Sequence, residues 1–459
     1  MNSIENHPYL LISSKCIGDF YQLTIFDGTS ISITTSKIDY SEYSILHLDK
    51  ENNYSLAPKE NSEKNKEKLI LKFQILYQPY KNQLFIDDSC MSKLNPIIAD
   101  TASFIKKMVL CNRQIFLRYN ADTDGIISAL FVKLAIEKFA QEHKINPVFV
   151  EISSPPAIYT KPQSISEMKY LQEMNFKPIC ILLDHSANVE SIQALTYIKS
   201  ENFPIILIDH HPPAQNIKEL TDFYISPFAV DVKESKYTTG LLCFELSKAI
   251  CNSADVKMLE YSLLADASTF AKTTDYTVPL SIDYFAQTNS KASLDDYLPI
   301  INDANTAQKL YFTADKILKD CANNAWEKSQ TITSDNYSII LCDLNGIIKK
   351  RTYPSKGMVV NLVQKKAEEV FSSSFSNKAS SNVVSICYVG DSIGLRASAD
   401  AIKNGFDANH LIEELKEKFP RLIRSGGGHK GAASLLVFDE ADRIRVREIV
   451  IEFTKQMIK

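Results

Sequence analysis

The sequence predicts an α/β protein with a parallel, doubly wound sheet in the middle of the chain, a β-rich segment before it and a smaller α/β segment after it. Three observations predict this fold class. Between residues 96 and 285, short apolar runs alternate with amphipathic stretches, as in a sheet whose parallel strands are joined by helices. Residues 1–95 alternate apolar and polar residues over short runs, which is typical of strands in a small β domain. From residue 336 to 459, strand-like and helical patterns mix again.

The N-terminal segment, residues 1–95, is predicted to be an accessory β domain. Tyr21–Phe26 and Ile31–Ile33 have the alternation of strands, and the polar, lysine-rich stretch Glu51–Lys68 is predicted to be an exposed loop. A small barrel that binds nucleic acid is the alternative, but the charge of this segment is mixed. Its role therefore stays open.

The central segment, residues 96–285, contains the alternation that predicts a parallel sheet. Its predicted strands lie at 114–120, 147–153, 178–184 and 204–209, and its predicted helices at 124–143, 164–174 and 188–200. Residues 286–335 are predicted to be a helical linker. The final domain, 336–459, has predicted strands at 337–343, 383–389 and 434–438, helices at 358–370, 408–419 and 440–457, and a serine-rich surface loop at 372–381.

Composition limits the classes of function. The chain has 459 residues, enough for two or three domains, and its net charge of -4 gives no overall basic field to attract nucleic acid. Any contact with a polyanion must therefore be local or depend on bound metal. No apolar run is long enough to cross a membrane, and Met1–Asn6 does not resemble a signal peptide. The nine cysteines include no CxxC pair, so we expect a reducing cytoplasm and no structural zinc site.

One predicted strand ends in the most informative tripeptide of the sequence. The apolar run Pro204–Ile208 is followed directly by Asp209, His210 and His211 and then by two prolines. In open α/β sheets, ligands bind at the carboxyl ends of the strands. Carboxylate and imidazole groups together are ligands for a divalent metal ion. Taken alone, the tripeptide is explained as well by chance or by a capped helix start.

Two other predicted strands end in the same way. The first strand leads into Asp122 and Asp124, the third leads into Asp184, and Asp266 interrupts an otherwise apolar helix. Each aspartate by itself could simply be a helix N-cap. Three strands would, however, bring the acids at their ends to one edge of one sheet, where close carboxylates repel one another unless a cation or a proton offsets their charge. A metal cluster accounts for the whole set.

Glycine usage indicates a second site. The chain has only 13 glycines, yet four of them fall within six residues, at Gly426, Gly427, Gly428 and Gly431. Glycines permit positive φ and a close approach of a ligand to backbone N–H groups, so we expect a loop here. A flexible turn is the alternative, but the adjacent His429 and Lys430 favour an anion site.

The order of these motifs resembles the DHH phosphoesterase superfamily, and in particular its RecJ-like members. The resemblance is carried by Asn120–Gly125, by the lone Asp184 after the next core strand, by Asp209–His211 and by the downstream Asp266. Ser425–Ser434 is similar to the glycine-rich signature of the substrate-binding domain that accompanies DHH domains. The resemblance covers roughly residues 110 to 440 and leaves out the N-terminal segment.

Two shorter segments and one strand add to the resemblance. Leu395–Ser398 is similar to the strand that supplies an arginine in the substrate-binding domain. Ser226-Pro227 and Thr238–Gly240 stand where RecJ-like proteins carry similar residues.

The resemblance implies two Mn²⁺ or Mg²⁺ ions in the first of these domains. Asp122 would ligate one ion and Asp124 the other, and Asp184 would bridge them. His210 and Asp266 would complete the second site.

The resemblance also implies catalytic and substrate-binding roles. His211 would stand beside the scissile phosphate and supply a proton to the leaving group, with Asp209 orienting the two histidines. The substrate's phosphate or terminus would be held across a cleft by Arg396, Ser398, Gly426, Gly427, Gly428 and His429.

Three residues near these motifs leave questions open. RecJ-like proteins usually carry Asp or His where this chain has Asn120, which can coordinate through its carbonyl oxygen but adds no charge, so the first metal ion would bind weakly or need high Mn²⁺. Arg118 would add positive charge to the site if its side chain points inward. His185 has either a local hydrogen-bonding role or a role in the active site.

Three functions follow from the resemblance. The first is a metal-dependent, single-strand-specific exonuclease of DNA or RNA repair or replication, with replisome proteins as possible partners. The second is a phosphodiesterase for oligonucleotides or cyclic dinucleotides, whose members usually lack an N-terminal segment like this one. The third is a replisome scaffold without catalysis, which loss of the metal ligands would mark. The metal ligands are retained here, and we expect a hydrolase.

Overall fold

The computed structural model describes residues 8–48, 53–57, 59–155, 157–173, 178–234, 236–334, 337–349, 352–374 and 382–457. Two compact units form, one from residues 1–283 and 291–302 and the other from residues 284–290 and 303–459. The four-part division drawn from the sequence is finer than these units and stays a prediction. In the described ranges, no helix combines the length and the apolar character needed to cross a membrane.

The first unit contains two sheets and ten helices or parts of helices within its described residues. Its strands are β1 (Tyr9–Ile17), β2 (Phe20–Phe26), β3 (Ile31–Ser36), β4 (Ile45–Leu48), β5 (Tyr54–Leu56), β6 (Ile115–Asn120), β7 (Phe149–Ser154), β8 (Ile179–Leu183), β9 (Ile205–Ile208) and β10 (Phe223–Ile225). Its helices are α1 (Lys59–Leu76), α2 (Ser89–Leu110), α3 (Thr123–Glu142), α4 (Lys161–Glu173), α5 (Ile192–Ser200), α6 (Ile217–Leu220), α7 (Thr239–Cys251), α8 (Val256–Ala265), α9 (Thr277–Thr288, up to Asp283) and α10 (Leu298–Asn302).

The N-terminal sheet is antiparallel, in the order β3-β2-β1-β4-β5. This confirms the β-rich segment expected from the sequence. The predicted exposed loop at 51–68 is wrong at Tyr54–Leu56, which form β5, and from Lys59 onward, where α1 begins. Leu69 and Phe73, one helical turn apart on α1, are buried, and the Phe73 ring lies 5.8 Å from that of Phe26. Burial of this apolar pair stabilises the helix even though its first turns are polar.

The central sheet is parallel, in the order β10-β9-β8-β6-β7. Its middle strands β8 and β9 are buried along their whole length, as expected for strands covered on both faces. One face packs against α4 and α5, while α3 contacts β6 and β8. The chain leaves β6 toward β7 on one side and later returns to β8 on the other side. The order of the strands therefore reverses at β6 and β8, which is where open α/β sheets bind ligands.

The second unit has one mixed sheet, in the order β11-β12-β13-β14-β16-β15. Its strands are β11 (Gln330–Thr333), β12 (Ser338–Asp343), β13 (Val383–Val389), β14 (Ser392–Ala397), β15 (Ile423–His429) and β16 (Ala432–Val437). Its helices are α11 (Ala304–Glu327), α12 (Lys356–Ser374), α13 (Ala399–Lys403), α14 (Ala408–Lys418) and α15 (Arg443–Met457). The predicted serine-rich loop is wrong for 372–374, which belong to α12, and its remaining residues, 375–381, lie outside the described residues.

The glycine-rich segment is a strand and not the loop that the sequence predicts. Gly426–Gly428 lie within β15 and pair with β16, and the chain turns back only at Lys430 and Gly431. A Cβ on Gly426 would lie 2.9 Å from the Cα of Leu435. On Gly428, which has a φ of 153°, it would lie 2.4 Å from the carbonyl oxygen of Ala432. These two glycines are required by close packing within the sheet.

Candidate metal centre

The candidate site lies at the carboxyl ends of β6, β8 and β9, which are neighbours in the central sheet. Asp122 follows β6, Asp184 follows β8 and Asp209 follows β9. Because the strands are parallel and adjacent, their ends bring these three acids to one edge, where the strand order reverses.

The turn from β6 into α3 fixes two of the acids. Asp122 caps α3, since its Oδ1 accepts a hydrogen bond of 3.0 Å from the amide of Gly125. Asp124 is 1% exposed and lies in the first helical turn. Its Oδ1 accepts from the Gly240 amide at 2.9 Å and from the Ser262 hydroxyl at 2.6 Å. A turn that serves as a helix start thus also presents two carboxylates at the sheet edge.

Asp124 has a further donor from the start of α7. The amide of Thr239 donates to its Oδ2 at 2.9 Å. The hydroxyl of the same threonine donates to Asp184 Oδ1 at 3.1 Å. The beginning of α7 therefore holds the acids of β6 and β8 in one arrangement.

Asp184 is the centre of the cluster. Its φ of 52° lies in the left-handed region, which is uncommon for a residue other than glycine and is retained where the surrounding contacts fix it. Its Oδ2 accepts from Asn120 Nδ2 at 3.1 Å. Its Oδ1 lies 3.5 Å from His210 Nε2 and 3.4 Å from His211 Nδ1. Asp184 is thus within reach of a residue from each neighbouring strand end.

Asn120 lies between the two acids of the predicted first metal site. Its Nδ2 donates to Asp122 Oδ2 as well as to Asp184 Oδ2. Since nitrogen and oxygen of an amide are interchangeable by rotation, the same side chain could turn its oxygen toward a cation.

His210 points into the cluster and is buried. Its Nε2 lies 3.0 Å from Asp266 Oδ2, and Asp266 ends α8 as its C-cap. The Nδ1 atom of His210 has no hydrogen-bond partner among the described residues. A buried imidazole surrounded by carboxylates and short of hydrogen bonds has the environment of a metal ligand.

His211 and Asp209 form a separate pair at the rim. His211 Nδ1 lies 2.8 Å from Asp209 Oδ1, and the backbone amide of His211 donates to the same oxygen at 3.0 Å. Asp209 is buried, whereas the side chain of His211 is 44% exposed. Burial and the neighbouring His210 lower the pKa of His211, but Asp209 and Asp184 outweigh them and raise it to about 9. The pKa of Asp209 is lowered in turn, because the two histidines and these hydrogen bonds outweigh its burial.

The remaining acids are crowded. Burial, followed by Asp266 and Asp184, raises the pKa of Asp124 to about 8. Burial and the charges of Asp184 and Asp266 raise the pKa of Asp122 well above its ordinary value. The pKa of Asp184 is raised mainly by burial. At Asp124 and Asp184 burial outweighs the positive charge of the neighbouring histidines, and a bound divalent cation would stabilise the ionised forms of all three acids.

Among the residues that the structure describes, two groups of side chains have the spacing to hold a metal ion. Within each group the donor atoms lie within 4.8 Å of one another, and the groups are Asp184 with His210 and His211, and Asp124 with His210 and Asp266. Carboxylate and imidazole donors fit Mn²⁺, and a carboxylate-rich set also fits Mg²⁺. The residues present therefore fit the cofactor expected from the sequence.

The structure brings together every residue predicted to bind metal or to act in catalysis. They are Asn120, Asp122, Asp124, Asp184, Asp209, His210, His211 and Asp266. Their individual roles stay predictions.

Two neighbouring residues turn away from the cluster. Arg118 does not add positive charge there, because its guanidinium forms a 2.6 Å ion pair with Glu167 of α4 and lies over the Tyr159 ring. His185 is buried with its Nδ1 2.5 Å from the Ser186 hydroxyl, which supports the local hydrogen-bonding alternative.

Sequence reasoning missed several groups that hold the cluster in place. Asp283 of α9 accepts hydrogen bonds from the amide of Thr123 at 2.9 Å and from its hydroxyl at 2.8 Å. Burial raises the pKa of Asp283 to about 6, although the Thr123 hydrogen bonds oppose this. Ser262 was missed as a donor to Asp124. Asp283 interrupts an amphipathic helix, which is the one signal the sequence offered, whereas Asp266, expected to interrupt a helix, lies at the end of α8.

The predicted substrate-binding residues all lie in the second unit. Arg396 is on β14, and Gly426–His429 form the end of β15. Ser398 is 5% exposed and caps α13, and its Oγ accepts from the amides of Ala401 and Val383. Its hydroxyl is therefore used inside the fold, and a direct contact with substrate has no support from this geometry.

Comparison with known proteins agrees with this architecture. Residues 114–271 match the DHH family, N-terminal domain. An uncharacterized protein of Methanocaldococcus jannaschii is 24% identical over 444 residues, which cover 83% of this chain and 56% of that protein. The chain thus spans little more than half the length of that relative.

Two solved structures share the fold. The DHH domain of a member of a family of ribosomal proteins has a TM-score of 0.74 at 21% identity, covering 86% of this chain and 98% of that chain. RecJ from Thermus thermophilus, in complex with Mn²⁺, has a TM-score of 0.54 at 12% identity, covering 84% of this chain and 59% of that chain. Residues 114–271 are therefore a DHH domain, with its acids and histidines at the expected strand ends, and the chain shares its fold with these two solved structures.

Proposed function

We propose that this protein is a metal-dependent phosphodiester hydrolase of the RecJ-like kind, acting on single-stranded nucleic acid. The observation that carries the proposal is the convergence on Asp184. Its two oxygens lie within 3.5 Å of donor atoms of Asn120, His210, His211 and Thr239. A carboxylate shared in this way at a sheet edge is suited to bridging two cations.

The metal ligands divide into two sets around this shared acid. Asp122 would hold one ion and Asp124 the other, and His210 and Asp266 would belong to the second set. When bound, two Mn²⁺ or Mg²⁺ ions supply an activated water and neutralise charge on phosphate oxygens. Asn120 contributes its position between Asp122 and Asp184 but no charge, so the first ion would be held more weakly than the second.

His211 is the residue best placed to move a proton. With a pKa of about 9 it carries its proton at neutral pH, and its ring is half open to solvent while Asp209 holds one nitrogen. It would donate to the leaving oxygen as a general acid. Asp209 positions the ring and stabilises its charged form, as a buried carboxylate does for a catalytic histidine.

The presence of all the expected metal ligands except at position 120, where Asn120 departs from the family pattern, favours hydrolysis over a scaffold without catalysis. The similarity of the fold to RecJ, together with the RecJ-like motifs of the sequence, supports a single strand as substrate. Short oligonucleotides or cyclic dinucleotides are the alternative substrates, and association with replication proteins is the partner hypothesis that goes with the RecJ-like function. Nine cysteines without a disulfide fit a reducing cytoplasm.

The test is digestion of end-labelled single strands with Mn²⁺. A strand of about 30 nucleotides, longer than the usual footprint of one binding domain, is compared with a trinucleotide, each as DNA and as RNA. Progressive shortening of the long strand supports the exonuclease, and the label gives the polarity. If only the trinucleotide is cleaved, the substrate is a short oligonucleotide and not a long single strand.

Two variants control for contaminating nucleases. Asp184→Ala should be inactive in every reaction. Asp87→Ala removes an exposed carboxylate outside the cluster and should behave as wild type. No cleavage by wild type at high Mn²⁺ would overturn the proposal.

A further inference from the structure

A lysine that the sequence did not single out lies on the sheet of the second unit. Lys356 begins α12, is partly buried, and donates from its Nζ to the hydroxyls of Ser392 at 2.6 Å and Ser434 at 2.5 Å. A Cβ on Gly394 would lie 3.1 Å from its Cε. The sheet is therefore shaped to hold the ammonium group of this side chain at a fixed place.

Arg396 lies beside this lysine and is held by the protein on one side only. Its Nε donates to Asn361 Oδ1 at 2.5 Å and its Nη1 to the carbonyl of Leu395 at 2.8 Å. Its Nη2 has no hydrogen-bond partner in the described part of the chain, and it faces Gly357, where a Cβ would be 3.5 Å away. A guanidinium held in this way keeps one donor group for a ligand.

The two cations have no counter-charge of their own. In the ranges that the structure describes, neither forms an ion pair with an Asp or Glu, and the nearby Asp391 is paired with Arg424 at 3.0 Å. Burial and the charge of Arg396 lower the pKa of Lys356 to about 7, against smaller opposing effects of Cys387 and Asp391. Two adjacent basic side chains that form no ion pair with an acid among the described residues suit the binding of an anion.

Strand register places His429 on the same face of the sheet. Arg396 of β14 pairs with Ala432 of β16, and Ala432 pairs with His429 of β15. Residues directly opposite across strands point to the same face. The other face is apolar and packs under α14, as the buried Leu395 and Leu435 show. Arg396 and His429 thus share one side of the sheet.

We propose that Lys356 acts with Arg396 to bind a phosphate group of the nucleic-acid substrate, and that Lys356 makes this binding dependent on pH. The inference rests on the proposed function for the identity of the ligand. The arginine was expected from the family resemblance, whereas the lysine, its two serine partners and the missing counter-charge come from this structure. Binding of a phosphate favours the protonated lysine and therefore raises its pKa.

The test measures binding without turnover. A fluorescein-labelled oligothymidylate lacking terminal phosphates is titrated with the full-length protein in EDTA, at several salt concentrations. Lys356→Met removes the charge, Lys356→Gln removes it while keeping a hydrogen-bond donor for the serines, and Lys365→Met is the matched control, an exposed lysine on the same helix.

We expect both Lys356 variants to bind about tenfold more weakly than wild type, as for loss of one charged hydrogen bond. The slope of log affinity against log salt should become shallower by about 0.7, the value for one phosphate contact on a single strand. Lys365→Met should change neither quantity. If Lys356→Gln folds with wild-type thermal stability and keeps the wild-type salt slope, Lys356 is only a structural anchor and the inference is overturned.

A second readout separates charge from packing. Between about pH 7 and pH 9, wild-type affinity should fall as Lys356 loses its proton, whereas Lys356→Arg should keep its affinity because arginine stays charged. His429, Cys387 and Asp391 are the other titratable groups nearby, and they are present in both proteins. An equal decline in both proteins would contradict the role of Lys356.

The outcome is independent of catalysis. A wild-type protein that cleaves no strand but loses binding with Lys356→Met would refute the proposed function and leave the phosphate site standing. If wild type cleaves single strands and Lys356→Gln has an unchanged KM, the proposed function would be supported and the role of Lys356 in phosphate binding would be refuted.

Discussion

The affinity of this protein for Mn²⁺ should depend strongly on pH, because protons compete with the metal for the same buried acids. Asp124 has a pKa raised to about 8 by burial and by its neighbours Asp266 and Asp184. About a tenth of this group is ionised at pH 7 and about a hundredth at pH 6. Since the metal binds the ionised form, each pH unit below about 8 should raise the apparent Kd about tenfold. The raised pKa of Asp122 would make this dependence steeper.

The stability of the metal-free protein should have the opposite sign of pH dependence. A carboxyl group whose pKa is raised by folding stabilises the folded state at low pH, and this contribution is lost as the pH rises from the unfolded pKa toward the folded one. From 3.8 to pH 7, Asp124 alone would cost on the order of 4 kcal/mol. In EDTA, thermal stability should therefore decline between about pH 6 and pH 8, and Mn²⁺ should reverse this decline.

The assay is isothermal titration with Mn²⁺ at about pH 6, 7, 8 and 8.5, with Asp87→Ala as a control that should follow wild type. A Kd that stays constant between pH 6 and pH 8 would refute the reasoning, because it would mean that the acids are already ionised without the metal.

Three substitutions test individual roles in the cluster. Asp184→Ala should lower turnover to background and weaken binding of both ions, as measured by metal titration, while circular dichroism stays that of wild type; appreciable turnover would contradict the bridging role. Asn120→Asp adds a charge between Asp122 and Asp184 and should lower the Mn²⁺ concentration that gives half-maximal activity several-fold, and an unchanged titration would show that residue 120 is not a ligand. Asp209→Asn should bring the pKa of His211 down from about 9, so the alkaline limb of the pH–rate profile should move to lower pH; an unmoved limb would exclude His211 as the acid.

The sequence predicted well which side chains cluster at the candidate metal centre, because the acids follow buried strands. A run of apolar residues that ends in Asp209, His210 and His211 is hard to attribute to chance or to helix capping once Asp122 and Asp184 end strands in the same way. Because neighbouring parallel strands end at the same edge of the sheet, the residues that follow them lie close together regardless of how the connecting helices pack. Four of the five strands of the central sheet were predicted within two residues of their observed bounds, whereas the short edge strand β10 was not predicted.

The errors came from segments whose structure depends on distant contacts. Helix α1 begins in a polar stretch and is stabilised by Leu69 and Phe73, which pack in the N-terminal region and not on their own helix. Gly426 and Gly428 were expected in a loop, but a strand that must lie close to Leu435 and Ala432 also requires glycine. The glycine content of a segment therefore does not distinguish a loop from a closely packed strand.

The donors that organise the metal centre were the hardest part to predict, and one glycine tests them. Gly240 donates its amide to Asp124 Oδ1, and a Cβ there would lie 2.1 Å from Ser262 Oγ and 3.0 Å from Asp124 Oδ1. Gly240→Ala must therefore displace Ser262, the second donor to the same oxygen. Loss of that hydrogen bond to a charged group is worth about 1.5–3 kcal/mol and disfavours the ionised form of Asp124.

Because Mn²⁺ binds that ionised form, Gly240→Ala should weaken metal binding about tenfold or more and should make its pH dependence extend to higher pH. Ser262→Ala removes the hydroxyl without the steric conflict and should show the same direction of change with a smaller loss of thermal stability. If both variants keep the wild-type Mn²⁺ affinity at every pH, the hydrogen bonds to Asp124 do not organise the site. The metal centre would then depend on the strand ends alone, which are the part that the sequence already revealed.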